Sequence, residues 1–416
     1  MNASALVAKS RRALNTVSTL YMVGPLRHLN PNVATVATRN TSRVLSSTGG
    51  GASFIRNFAS SPTAGTAVAG GCLAGTAWFA VYGLTGGFRN LKSPNVNVGY
   101  DHYPSNNPCE DRIIVESPIP GMLVAGVADG HGGTFVSDVI KMEMGSMVKR
   151  IFGDIQSVSG DKLKSYMTEN AIRLYQEMDD LVYSMVMSMW ESDSSVVTAG
   201  SCLVSAFLFN NRCIIANAGD CRAVLGRRSI AEEGKLEAVQ LTNDHNVREP
   251  AELKKLKEAH PNERDLVKYY DGVPVYVKGM LQLTRCLGDF MLKSKAFIQA
   301  IPLLHRYEQT FNPPYITCTP EINAFNVGKN DQFIVMASDG VWDELENEVV
   351  VDIVGEALAR GHTVDSAANL VVEACLSHAA KRNELTLKQL KELRAGQRRR
   401  FHDDMSVVIV DLRGSQ

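Results

Sequence analysis

The first hundred residues contain no aspartate or glutamate, against nine lysines and arginines. The chain as a whole is near neutral, with 43 Lys+Arg and 44 Asp+Glu in 416 residues. The remaining three quarters therefore carry 34 basic and 44 acidic side chains, a net of −10. That asymmetry excludes one uniform domain, and the overall balance excludes a chain built chiefly to bind nucleic acid. Close cysteine pairs are also lacking. The eight cysteines, at 72, 109, 202, 213, 221, 286, 318 and 375, are too scattered for a structural zinc site or a thioredoxin-like motif. Most lie in apolar runs, where a thiol behaves as a small hydrophobe, which indicates a reducing compartment and no disulfide framework. Charge of either sign is missing between Arg56 and Arg89.

Segment 1–60 is rich in Ser, Thr, Ala, Asn and spaced Arg. This is the composition of a mitochondrial transit peptide, although a disordered basic tail or a chloroplast peptide shares it. The uncharged stretch 64–88 exceeds the ~20 residues needed to cross a bilayer. Trp78 and Tyr82 suit interfacial anchors, and Gly71 and Gly75 have the small-xxx-small spacing of close helix packing. Its Gly, Thr and Ala content also fits a flexible linker. A membrane anchor is the expectation.

From about residue 95 the texture changes to short apolar strands, charged helices and Gly/Asp turns. Strands are expected at 112–116, 121–128, 201–209, 212–218, 222–226, 333–338 and 405–412. Helices are expected at 133–152, 161–190, 249–260, 347–360, 363–382 and 384–395. Asn210-Asn211 between two apolar runs is a hairpin signal. Strands come in adjacent runs instead of alternating with helices. That predicts an α/β (α+β) fold with a largely antiparallel sheet assembly and helices packed outside it.

The acids sit at strand ends. "MLVAGVADGHGG" ends in Asp129-Gly130-His131, and "FIVMASDGVWD" in Asp339-Gly340, with Asp343 four residues on. Asp403-Asp404 precede the strand "MSVVIVDL", and Glu110-Asp111 precede "RIIVE". In antiparallel pairs the end of one strand lies beside the start of its neighbour, so all four clusters can meet at one edge. Carboxylates gathered there repel one another unless cations neutralise them. Only hard oxygen ligands are offered, which selects Mg²⁺ or Mn²⁺ over Zn²⁺. Glycine after Asp129 and Asp339 is expected to permit sharp turns and close backbone approach.

These residues, with "GSCLVSAFLFNNRCIIANAGDCRAVLG" (200–226), "LTNDH" (241–245), "LTRCLGDF" (283–290) and "HDDMSVVIV" (402–410), occur in the order that resembles the metal-dependent type 2C protein serine/threonine phosphatases. The resemblance covers roughly residues 97–413. "GYDHYPSNNPCEDR" (99–112), "LTNDHNVREPAELKKLKEAHP" (241–261) and "NPPYITCTPEI" (312–322) look closer to the pyruvate dehydrogenase phosphatase branch, which is mitochondrial. The resemblance implies a β-sandwich flanked by helices on both faces and a centre of two Mg²⁺ or Mn²⁺ ions. Carried over by position, Asp129 would bridge the ions, the Gly130 carbonyl would bind one, and Asp339 and Asp403 would be direct ligands. Glu110 and Asp111 would hold metal-bound waters, with Asp111 orienting the nucleophile. His131 would be the general acid for the leaving seryl or threonyl oxygen. The expected reaction is hydrolysis of phosphoserine or phosphothreonine in a phosphoprotein, possible substrates including a subunit of the pyruvate dehydrogenase complex.

Three positions depart from that pattern. The usual phosphate-gripping Arg four residues before Glu110 is Asn106, with Arg112 close by in sequence. The position of an additional metal-binding Asp is Val197, with Asp193 the nearest acid. The usual Asp-Asn pair is Asp403-Asp404. Asp220 and Arg222 are expected to form an ion pair or turn, Asp289 to support the site from outside, 394–401 ("RAGQRRRF") to form a solvated loop or attract acidic surfaces, and 291–316 to form a flap. The alternative to a phosphatase is a catalytically silent, membrane-tethered binding module. The domain layout expected is a targeting segment over 1–60, an anchor or linker over 64–88, and a phosphatase domain over 95–416.

Overall fold

The computed structural model describes residues 96–307 and 310–415. The expectations for 1–60 and 64–88 lie outside the described residues. Among the described residues, no helix is long and apolar enough to cross a membrane.

Two antiparallel sheets form the centre. The first has the order β1 (Asn97–Tyr103), β13 (Met405–Asp411), β12 (Asp331–Ala337), β6 (Arg222–Arg228), β7 (Leu236–Gln240). The second runs β11 (Glu321–Asn326), β5 (Arg212–Ala218), β4 (Gly200–Phe209), β3 (Met122–His131), β2 (Arg112–Glu116), with β10 (Leu287–Gly288) on the far end of β4. A separate hairpin joins β8 (Val267–Tyr270) to β9 (Val273–Val277). The sheets face each other through β12 and β13 against β3. Helices α1 (Phe135–Ile151) and α2 (Lys162–Met189) cover the second sheet, and α6 (Asn347–Ala359) and α7 (Val364–Arg382) cover the first. The remaining helices are α3 (Pro250–Ala259), α4 (Phe290–Lys293), α5 (Asp339–Trp342) and α8 (Leu387–Glu392). The expected sandwich flanked on both faces is the observed architecture.

Burial on both faces explains why the central strands are continuous apolar runs. In β12, Phe333, Val335 and Ala337 pack toward α6 and α7, whereas Ile334 and Met336 point into the sandwich. Met405, Val407 and Ile409 of β13 alternate with Val408 and Val410 in the same way. Asn210 and Asn211 take positive φ values of 47° and 60°, as the two central residues of a primed hairpin turn require.

Several edge elements carry no such run. β1, β7 and β11 are exposed or half-buried along most of their lengths, and their polar alternation conceals them in the sequence. The helix expected over 384–395 is shortened to Leu387–Glu392, because Thr386 and Gln389 form a capping box that starts it late. Of the expected flap, Phe297 is fully buried and meets Tyr183 and Trp190 edge-on, so the stretch around it packs on α2.

Candidate active site

Register brings the acids together. Arg112 pairs opposite Ala128, which sets Glu110 and Asp111 beside the end of β3. Ala337 pairs opposite Val407, which sets Asp339 beside Asp403 at the start of β13. Ser338 ties the two sheets, its Oγ donating to Asp111 Oδ2 at 2.8 Å while accepting from the Ser406 N–H at 3.0 Å.

β3 runs further than the sequence suggests. Asp129, Gly130 and His131 are still in the strand, paired opposite Cys202, Ser201 and Gly200, and the turn starts at Gly132. Gly130 is therefore needed for close approach and not for a turn. A Cβ there would sit 2.5 Å from the Glu110 carbonyl oxygen and 2.7 Å from Ser137 Oγ. Gly340 likewise lies in α5, against the backbone of Asp404.

Asp129, Asp339 and Asp403 are half-buried, but protein surrounds their carboxyl groups closely. Burial, reinforced by Asp111, Asp339 and Asp403, holds the Asp129 carboxyl well above the usual range. Asp339 is raised well above it by burial and by Asp403, Asp220 and Asp343. Burial and Asp404 push Asp111 up to about 7, against the pull of the Ser338 hydroxyl. Glu110 is raised by burial, although the Gly133 N–H, 2.7 Å from Oε1, and Arg399 oppose this. Asp403 is raised by burial and lowered in part by its ion pair with Arg399. Each shift records one circumstance: several negative groups crowded together in low dielectric.

Such a set fits divalent cations bound through hard oxygens. Asp111 Oδ1 is buried without a hydrogen-bond partner, as a group placed for a water or ion would be. The linkage has a definite sign. A folded carboxyl that holds its proton more tightly than the unfolded one, near ~4, loses stabilising protonation as pH rises. Metal-free protein is therefore expected to melt at lower temperature as pH is raised through the window that ends near 7 for Asp111. Mn²⁺ should raise the melting temperature more at pH 8 than at pH 6. Melting curves with and without Mn²⁺ at the two pH values check this, and equal shifts would contradict it.

Asp404, in contrast, is spent on the backbone. Its carboxylate accepts from the N–H groups of Ser105, Asn106 and Glu110, at 2.5, 2.8 and 2.8 Å. Asn106 Nδ2 reaches Asp404 Oδ2 at 3.2 Å and Glu110 Oε2 at 3.3 Å. Two of the three departures are thus one device, an extra acid that organises the loop around an uncharged residue 106. Arg112 is turned away, its Nε donating to Asp138 at 2.6 Å and Nη1 to the carbonyls of Cys109 and Asp111. Asp193 only caps the turn at 194–197.

The expected Asp220–Arg222 pair does not form. Arg222 binds Asp244 through Nε and Nη2, at 3.1 and 2.8 Å, and Asn347 through Nη1. Asp220 accepts from Cys202 Sγ at 3.3 Å, and burial with Asp244 and Asp343 nearby pushes its carboxyl up to about 6.

His131 has a partner that spacing could not assign. Asp289 is fully buried at a positive φ of 50°, and its Oδ2 lies 2.6 Å from His131 Nε2 and accepts from Cys286 Sγ at 3.0 Å. Burial alone would make the imidazole harder to protonate. The charge and hydrogen bond of Asp289 outweigh this, and Asp220 and Glu110 add to the rise. Gly200 is obligatory here, since a Cβ would fall on the Asp289–His131 bond. Donor atoms of His131, Cys286 and Asp289 lie within 4.8 Å of one another, a closeness that these hydrogen bonds account for. Among the described residues the acids of the four clusters form no equally tight triplet, as unneutralised carboxylates would not.

The family model for Protein phosphatase 2C matches residues 117–384. The chain belongs to the protein phosphatase 2C family. "Probable protein phosphatase 2C 46" of Arabidopsis thaliana is 32% identical over 321 residues, covering 75% of this chain and 80% of that one. "Probable protein phosphatase 2C 78" of Oryza sativa subsp. japonica is 33% identical over 295 residues, covering 70% and 71%. In fold the chain is similar to the serine-threonine phosphatase 2C from Toxoplasma gondii, with a TM-score of 0.57 at 18% identity over 76% of this chain and 95% of that one. Membership makes this protein a serine/threonine phosphatase, of a phosphatase 2C family that in general depends on Mg²⁺ or Mn²⁺. Its substrates are accordingly phosphoproteins.

Proposed function

We propose that the chain hydrolyses phosphoserine and phosphothreonine in proteins with two Mg²⁺ or Mn²⁺ ions held by Asp129, the Gly130 carbonyl, Asp339 and Asp403. The observation that carries this is the crowding of those carboxyls at one edge of the sandwich, with raised proton affinities, a repulsion that bound cations would offset. When bound, the ions supply an activated water and offset the charge on the phosphoryl oxygens. Asp111 and Glu110 would receive hydrogen bonds from waters at such a centre, and Ser338 fixes the Asp111 carboxylate for that task. His131, kept protonated by Asp289, gives its proton to the departing seryl or threonyl oxygen.

The setting we propose is the mitochondrion, with 64–88 as a membrane anchor or a linker and, where the catalytic domain reaches the matrix, a 2-oxo acid dehydrogenase subunit, such as that of pyruvate dehydrogenase, as substrate. The acid-free, Arg-spaced N-terminus supports the compartment. The segments 99–112, 241–261 and 312–322 support the substrate class. Protease treatment of intact mitochondria and of mitoplasts reads the topology. Protection in both is expected for an enzyme imported fully into the matrix, whereas a retained anchor with its N-terminus in the matrix would leave the catalytic domain in the intermembrane space. Digestion on rupture of the outer membrane alone would overturn the matrix substrate.

A further inference from the structure

The basic segment before Asp403 turns one charge inward. Arg398–Arg400 form a 3₁₀ turn, so the three side chains point roughly a third of a turn apart. Arg398 is taken up by the scaffold: Nε donates to the Leu393 carbonyl and Nη1 to that of Pro104, both at 2.8 Å, and its guanidinium covers the Tyr103 ring at 4.4 Å. Arg399 instead ion-pairs through Nη1 with Asp403. That contact places its guanidinium beside the acidic centre. Yet its side chain is 48% exposed, so part of it reaches solvent beside the acids.

Positions 106 and 112 cannot supply a phosphate grip. Asn106 carries no charge and is held by Asp404 and Glu110, and Arg112 is engaged with Asp138. We propose that Arg399 grips the phosphate of the substrate, and of the released orthophosphate, in their place. A guanidinium can leave one N–H on a carboxylate oxygen and present its remaining donors to a phosphate, a geometry that a lysine ammonium cannot reproduce. Asp403 would hold the fork less tightly when it shares its charge with a cation, and the fork would then be free to turn to the dianion. The proposal rests on the phosphatase reading above and names the residue that binds its substrate group.

The test uses the full chain loaded with Mn²⁺, titrated with orthophosphate in a calorimeter, as wild type, R399Q and R399K. Melting temperature and Mn²⁺ affinity are measured on the same proteins. R399Q should bind orthophosphate about 10- to 100-fold more weakly, as loss of charged hydrogen bonds implies. R399K should fall between, Mn²⁺ affinity should be unchanged or tighter, and the KM for a phosphothreonine peptide should rise. Unchanged orthophosphate affinity in R399Q would overturn the proposal. So would a loss matched by weaker Mn²⁺ binding, because Arg399 would then serve only to hold Asp403. Calorimetry needs no turnover, so a wild type that binds orthophosphate but hydrolyses nothing would count against the phosphatase reading and not against Arg399.

Discussion

Asp339→Asn is expected to lower kcat on a phosphothreonine peptide by more than about 10²-fold, beyond the loss typical of residues that merely support metal ligands. The substitution keeps the shape of the side chain and removes the charge. Asp339 begins α5 with one residue between it and β12, and the negative charges of Asp403, Asp220 and Asp343 act on it. Removing one negative charge from that group relieves repulsion, so metal-free Asp339→Asn should melt at a higher temperature than metal-free wild type. The same change removes a hard ligand, so Mn²⁺ should stabilise the variant less. Activity lost together with a raised metal-free melting temperature is the signature of a ligand. Activity retained would show that Asp339 is only a helix-starting acid.

The second large effect concerns the proton donor. His131→Asn should lower kcat on a phosphothreonine peptide by roughly 10²- to 10⁴-fold, the usual contribution of a general acid. It should affect p-nitrophenyl phosphate far less, because nitrophenolate leaves without a proton. Asp289→Asn should give a smaller loss and a displaced pH profile. With the carboxylate gone, burial of the imidazole acts unopposed and its proton affinity falls. A general acid works only while protonated, so the alkaline limb of kcat should move to lower pH in Asp289→Asn. An unmoved limb would mean that Asp289 holds the backbone and nothing more.

The sites and the strands beside them were legible for the same reason. A strand buried on both faces is a conspicuous apolar run, and an acid flush against its end is conspicuous in turn. The expected 212–218 strand is Arg212–Ala218, and Asp129, Asp339, Asp403 and Asp111 converge as antiparallel neighbours must. What escaped depends on contacts between distant segments. Asp289 reaches His131 across 158 positions, and Asp404 reaches Ser105 across 299. Arg222 chose Asp244 over its near neighbour Asp220 because the strand pairing of β6 with β7 carries the following loop back beside it. Arg399 differs from Arg398 and Arg400 only in the direction its turn gives it. Edge strands such as β1, with alternating polar residues, look like loops until the sheet supplies their partner.

The acids at the sandwich edge are expected to work through divalent cations. The most direct measurement is phosphate release from a phosphothreonine peptide by the full chain, with Mn²⁺, with Mg²⁺ and with EDTA. Turnover is expected in either metal, abolished by EDTA and restored by adding metal back. Undiminished turnover in EDTA would contradict this expectation, as would no turnover from a protein shown by melting to bind Mn²⁺.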